Sequence, residues 1–125
     1  MARLLVVEDN PQNLKLAQLL LQRAGHTVFT AVDGETGVSQ ARAEHPDVVL
    51  MDVQMPGIDG LAATRLLKAD AATAGIKVVA LTALAMKGDA ERILAAGCDA
   101  YLAKPFQYSE LVAVVDRVLG GTMPG

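Results

Sequence analysis

Four short apolar runs in this chain are each followed by charged or hydroxyl side chains, and this pattern restricts the possible folds more than any other feature. The runs cover residues 4–7, 48–51, 78–81 and 101–103. The polar residues that follow them are Glu8, Asp9, Asp52, Thr82 and Lys104. If the runs are parallel strands of one sheet, their carboxyl ends meet at the same edge. We therefore expect three acids, a hydroxyl and an amine in one pocket, which would suit a divalent cation beside a reactive carboxylate.

The apolar runs alternate with amphipathic stretches, which predicts five strand–helix units. Strands are predicted at residues 3–7, 27–31, 48–51, 77–81 and 100–102. Helices are predicted from Pro11 to just before Gly25, from an Asp33-Gly34 turn to Glu44, and at about 60–69, 86–96 and 107–119. This alternation favours an α/β fold, a parallel sheet with helices on both faces. For five strands we predict a doubly wound, flavodoxin-like (βα)₅ sheet with strand order 2-1-3-4-5, whose switch point lies between Asp9 and Asp52.

Length and composition fit one compact domain and argue against several classes of protein. The chain has 125 residues, 52% of them hydrophobic, so disorder is not expected. We predict a domain over residues 1–120 and a flexible tail over 121–125. The net charge of −3 and the lack of a basic run argue against direct binding to nucleic acid or membranes. The single cysteine, Cys98, excludes an intrachain disulfide, and without a signal sequence or membrane-spanning stretch we expect a cytoplasmic protein.

Three carboxylates in one pocket require a compensating charge. At about 4 Å, each pair of like charges repels by roughly 1–4 kcal/mol, depending on the local dielectric. Three acids, one lysine and a divalent cation sum to zero formal charge, and all-oxygen ligands favour Mg²⁺, or Mn²⁺ in its place. A carboxylate beside such a cation and Lys104 could attack a phosphoryl group and form an acyl phosphate. Thr82 could then donate a hydrogen bond to a phosphoryl oxygen.

These polar residues belong to four motifs that together resemble the receiver domain of two-component response regulators, over nearly the full chain. The motifs are Val7-Glu8-Asp9-Asn10, the loop from Met51-Asp52 to Asp59-Gly60, Leu81-Thr82-Ala83 and Lys104-Pro105. Any one of them alone is a weak signal, but all four in this order at strand ends are specific. Within this CheY-like family, the stretch 85–92 is more similar to hybrid-kinase receivers and to stand-alone DivK-like regulators than to the chemotaxis type.

The resemblance implies a role for each pocket residue. Asp52 is the expected phosphoryl acceptor, and Lys104 is expected to pair with the phosphoryl group. Mg²⁺ is expected to bind the side chains of Asp9 and Asp52 and the backbone carbonyl of Gln54. Glu8 is expected to act on the metal directly or through water.

The resemblance also implies a switch, with Thr82, Tyr101 and Pro105 as switch residues. Thr82 is expected to move toward the phosphoryl group, Tyr101 to turn inward, and the Lys104–Pro105 peptide bond to be cis. The face formed by the fourth helix, fifth strand and fifth helix would then change its affinity for a downstream protein.

The expected donor is a sensor histidine kinase or a histidine phosphotransfer protein, and the receiver is expected to be a monomer or weak dimer. It would catalyse only its own phosphorylation and dephosphorylation, and so is not expected to be a turnover enzyme.

One alternative stays open and two others are disfavoured. A degenerate receiver can act as a scaffold without phosphorylation, but the complete set of pocket residues argues against it. A phosphatase of the haloacid dehalogenase type needs a second Asp two residues after its nucleophile, where this chain has Gln54. A flavin-binding module needs a hydroxyl-rich loop after strand 1, where Glu8 and Asp9 would repel a phosphate.

Overall fold

The computed structural model describes residues 2–55, 57–83 and 88–120, and within them it contains five strands and five helices. The strands are β1 Arg3–Val7, β2 Thr27–Ala31, β3 Val48–Asp52, β4 Lys77–Thr82 and β5 Ala100–Ala103. The helices are α1 Pro11–Arg23, α2 Gly34–Glu44, α3 Gly60–Ala69, α4 Asp89–Ala95 and α5 Tyr108–Val118. The predicted start of the fourth helix at residue 86 and the predicted tail at 121–125 lie outside the described residues.

The strands form one parallel sheet in the order β2-β1-β3-β4-β5, which confirms the predicted fold. In the central register, Val7 pairs with Ala31 on one side and with Met51 on the other. Asp52 pairs with Leu81, so the carboxyl ends of β1, β3 and β4 reach the same edge of the sheet. This edge is where a doubly wound sheet binds its ligands.

The sheet is covered on both faces, and alternate residues of each strand face opposite sides. One core cluster contains Leu5, Val7 and Val49 together with side chains of α2, α3 and α4. The other contains Leu4 and Val6 together with side chains of α1 and α5. Burial on both sides explains why the central strands are continuous apolar runs rather than alternating ones.

Local capping residues determine where the helices begin. Asn10 caps α1 by accepting hydrogen bonds from the Gln12 and Asn13 amides, and Pro11 is the first helical residue, as predicted. At the predicted Asp33-Gly34 turn the chain bends into α2: Asp33 accepts from the Thr36 amide as the N-cap, and Gly34 is the first helical residue. No helix in the part of the chain that the structure describes combines the length and apolarity needed to cross a membrane.

Candidate functional site

The carboxyl ends of β1 and β3 bring three acids together, as predicted. Glu8 and Asp9 follow β1, and Asp52 is the last residue of β3 rather than the residue after it. One carboxylate oxygen from each of the three lies within 4.8 Å of the others. Glu8 and Asp52 are buried, whereas Asp9 is exposed at the mouth of the pocket. The cluster is therefore reachable from solvent on the Asp9 side.

Lys104 lies against two of these acids. Its Nζ is 3.2 Å from Glu8 Oε1 and 3.3 Å from Asp52 Oδ1. The backbone fixes this arrangement, because the Lys104 amide donates to the Thr82 carbonyl at 2.7 Å, where β4 and β5 end side by side. The Lys104–Pro105 peptide bond is cis, as predicted.

The environment of Lys104 favours its charged form. Burial alone would lower the pKa of Lys104, but the charges of Asp52 and Glu8 and their hydrogen bonds outweigh burial and raise the pKa above its usual value. The lysine is therefore a permanent cation at physiological pH. With three carboxylates beside it, the pocket has a formal charge of −3 + 1 = −2.

The donor set fits a hard divalent cation. Three carboxylates converge, two of them buried, and a single lysine leaves two negative charges uncompensated. A metal with oxygen ligands and retained waters, such as Mg²⁺, suits that charge and ligand type. The residues that would hold it are Glu8, Asp9 and Asp52, with the Gln54 backbone carbonyl as the further ligand implied by the resemblance.

The segment after β3 orients the Asp52 carboxylate. The Gln54 amide donates to Asp52 Oδ1 at 3.1 Å, and the Val53 amide donates to the Leu81 carbonyl at 3.0 Å. The Gln54 side chain itself is exposed. On the other side of the pocket, the Asn10 amide donates to Glu8 Oε2 at 3.1 Å, which holds that carboxylate in place.

The three predicted switch residues differ in how deeply they are buried. Thr82 is the last residue of β4, is fully buried, and comes directly after the residue that pairs with Asp52. Tyr101 lies on the edge strand β5 with 44% of its surface exposed, so it is not part of the acid cluster. Pro105 is exposed next to Lys104 and lines a neighbouring cavity.

That cavity is the feature of the site that sequence reasoning missed. Its volume is about 410 Å³, and it lies between α1 and the segment leading into α5. Glu8 and Lys104 form its polar end, whereas Leu16, Leu20 and Phe106 are among its apolar walls. Leu16 is 57% exposed, off the buried face of α1. Leu19 and Leu20 follow Leu16 at spacings of three and four residues, and Leu19 is also exposed. Apolar residues beyond the buried face of a predicted helix were the sequence signal for this cavity.

Comparison with known proteins gives relatives that span the whole fold. Residues 4–116 match the response regulator receiver domain. The chain is 40% identical over 116 residues to the polar-differentiation response regulator DivK of Brucella ovis, covering 93% of this chain and 94% of that protein. This agrees with the DivK-like subfamily predicted from the sequence.

Solved structures agree with the same assignment. The receiver domain of the sensor histidine kinase PA1611 from Pseudomonas aeruginosa PAO1, which has a magnesium ion in its active-site cleft, is 38% identical. It has a TM-score of 0.88, covering 96% of this chain and 98% of that one. The chemotaxis protein CheY4 of Vibrio cholerae is 28% identical with a TM-score of 0.90, covering 94% and 98%. With the fold, the acid cluster and these relatives in agreement, the chain belongs to the response regulator receiver domain family of two-component signalling proteins.

Proposed function

We propose that this receiver is a phosphorylation-dependent switch in which Asp52 accepts a phosphoryl group from a histidine kinase or a histidine phosphotransfer protein. The observation that carries the proposal is the convergence of Glu8, Asp9 and Asp52 within 4.8 Å, with Lys104 Nζ 3.3 Å from the Asp52 carboxylate. Folding alone does not require this repulsive cluster. A site for phosphoryl transfer does, because it needs a nucleophile, a cation site and a fixed positive charge together.

In the proposed reaction, an Asp52 carboxylate oxygen attacks the phosphorus atom. The bond between phosphorus and the donor nitrogen breaks, and the histidine imidazole leaves with the electron pair. Lys104 supplies a positive charge to the phosphoryl oxygens, and the Gln54 amide holds the Asp52 carboxylate in its orientation. When bound by Glu8, Asp9, Asp52 and the Gln54 carbonyl, Mg²⁺ would neutralise the charge that develops on those oxygens.

The proposed output is a change in protein binding. Thr82 would hydrogen-bond the new phosphoryl group, and Tyr101, Pro105 and their neighbours would adjust to it. Leu94 on α4 and Tyr101 on β5 are exposed apolar side chains, at 51% and 44%, which supports a protein-binding face formed by α4, β5 and α5. The apolar cavity beside Lys104 would admit part of the donor protein next to Asp52. Residues 1–120 would carry this function, and the protein would act in the cytoplasm, where such donors and Mg²⁺ occur together.

Intact mass spectrometry after incubation with acetyl phosphate and Mg²⁺ tests the proposal. The wild type should gain one phosphoryl group, and Asp52→Asn should gain none. Asp59→Asn is the matched control, because Asp59 is an acid of the segment that connects β3 to α3 but lies outside the acid cluster. Its Oδ1 accepts from the Ala62 amide at the start of α3. That variant should label like the wild type. Chelation of Mg²⁺ beforehand should abolish labelling.

A wild type that stays unmodified with acetyl phosphate and with a phosphorylated histidine donor would contradict the switch and favour the scaffold alternative. Labelling of Asp52→Asn would place the acceptor elsewhere. Equal binding of a downstream protein by wild type and Asp52→Asn under phosphorylating conditions would contradict the proposed output.

A further inference from the structure

Two helices next to the pocket begin with the same dipeptide. Asp33 and Asp59 are the N-caps of α2 and α3, and Gly34 and Gly60 are the first helical residues. Neither glycine has the positive φ that would require its backbone freedom. Glycine is also a poorer helix former than alanine, so its presence at both positions needs another cause. The cause is space.

At Gly60 the space is taken by the backbone of the phosphoacceptor itself. A Cβ atom added there would overlap the carbonyl oxygen of Asp52 and would lie 2.9 Å from Met51 Cγ. The Gly60 amide also donates to the Val53 carbonyl at 3.1 Å. The N-terminus of α3 therefore packs directly on the end of β3, with no side chain between them.

At Gly34 the space is taken by Ile58, which lies toward the α3 end of the β3–α3 connection, the segment between Asp52 and Gly60. A Cβ atom there would lie 2.8 Å from both Ile58 Cγ1 and the Ile58 carbonyl oxygen. Ile58 also packs against the core cluster between the sheet and α2 and α3, so it has little room to move away. The N-terminus of α2 thus limits how far the connection can move outward.

We propose that Gly34 and Gly60 are positioning residues that hold the β3–α3 connection, and through it the Asp52 carboxylate, in the geometry for metal binding and phosphoryl transfer. The link is the Gln54 amide, which belongs to this connection and donates to Asp52 Oδ1 at 3.1 Å. A methyl group at residue 34 would push Ile58 outward and move Gln54 relative to Asp52. The inference rests on the proposed function for its chemical meaning, but its geometry can be tested separately.

The test compares Gly34→Ala and Gly60→Ala with the wild type by three measurements. The Gln54 amide is followed by NMR and hydrogen exchange without metal, the Mg²⁺ dissociation constant by titration of amide shifts, and the acetyl phosphate labelling rate at saturating Mg²⁺. In both variants we expect the Gln54 amide resonance to shift and its hydrogen to exchange faster than in the wild type. We also expect Mg²⁺ affinity to fall by about tenfold, as for other groups that orient metal ligands.

Two control variants separate positioning from general loss of stability. Gly75→Ala adds a methyl group where nothing lies within 4 Å, and it should leave all three measurements unchanged. Leu67→Ala creates a cavity in the fully buried core of α3, so it should lower stability toward urea while retaining the Gln54 amide shift and the Mg²⁺ affinity. In the Gly34→Ala background, Ile58→Ala removes one of the two close contacts and should recover part of the affinity.

The inference is overturned if Gly34→Ala keeps the wild-type Gln54 amide and binds Mg²⁺ within twofold of the wild type. It is also overturned if Leu67→Ala weakens Mg²⁺ binding as much as Gly34→Ala does. Gly34→Ala decides the question alone if Gly60→Ala does not fold. If the wild type accepts no phosphoryl group, the proposed function fails, and the metal-free Gln54 amide still decides the positioning role.

Discussion

Lys104 Nζ lies 3.3 Å from Asp52 Oδ1, although Asp52 ends β3 and Lys104 follows β5, two strands that do not pair with each other. The contact forms across the end of β4, where the Lys104 amide is bonded to the Thr82 carbonyl. The same ammonium is 3.2 Å from Glu8. The Lys104 ammonium therefore pairs with two buried carboxylates. Among the ion pairs of the described residues, none involves the third acid, Asp9.

The first prediction concerns the stability of Asp52→Asn without metal. The substitution removes two repulsive interactions, with Glu8 and Asp9, and one attractive interaction, with Lys104. We expect a net gain of about 1 kcal/mol in the free energy of unfolding, the size of one uncompensated charge pair. Urea unfolding in chelator-treated buffer measures it. Added Mg²⁺ should stabilise the wild type more than the variant, and a variant that is less stable than the wild type without metal would contradict this account.

A second prediction concerns the pH above which Lys104 no longer stabilises the folded protein. The pKa of Lys104 is raised in the folded state from its ordinary value of 10.5, so the folded protein holds this proton more tightly than the unfolded chain. The stabilisation is fully present below pH 10.5 and is lost as pH rises through the folded-state pKa. The difference in unfolding free energy between wild type and Lys104→Met should therefore be constant from pH 8 to about 10 and should shrink above it. A difference that grows at alkaline pH would contradict the ion-pair geometry.

Most of the fold and the acid cluster could be predicted because they depend on short-range patterns. The runs at residues 4–7 and 48–51 are apolar on both faces, which is typical of central parallel strands. Once these strands are parallel, their ends must meet, so the pocket follows without knowledge of any side-chain packing. The same reasoning placed Lys104 beside Asp52.

The features that could not be predicted depend on how helices dock on the sheet. The close approach of Gly34 to Ile58 brings the first residue of α2 against the segment between β3 and α3, and no local pattern indicates it. The cavity beside Lys104 depends on the separation of α1 from the segment before α5, which the arrangement of side chains determines. The position of Tyr101 on an edge strand was predictable, but its outward exposure was not, because either face of an edge strand can be covered.

A third prediction concerns Cys98, whose thiol should be chemically inert in the native protein. Its side chain is buried, and its Sγ donates to Thr64 Oγ1 at 3.8 Å. Burial raises the pKa of the Cys98 thiol, so little reactive thiolate forms at pH 8. Labelling with a thiol-specific reagent should be much slower in native buffer than in urea. Fast labelling in native buffer, at a rate that low concentrations of urea do not change, would show that the thiol is accessible and would contradict the prediction.

The last prediction concerns Lys68, which joins two loops at the edge of the sheet opposite the pocket. Its Nζ donates to the Ile76 carbonyl at 2.8 Å and to Asp99 Oδ2 at 3.0 Å, and Asp99 Oδ2 also accepts from the Val78 amide at 2.8 Å. Lys68→Met retains the apolar stem but removes a donor to the Ile76 carbonyl and the cation beside Asp99, so we expect a loss of about 1–3 kcal/mol in the free energy of unfolding. Arg42→Met is the matched control, because it breaks a more exposed ion pair with Asp70 and should change stability little. Equal effects of the two substitutions in urea unfolding would mean that the partly buried contacts of Lys68 contribute no more than a surface pair.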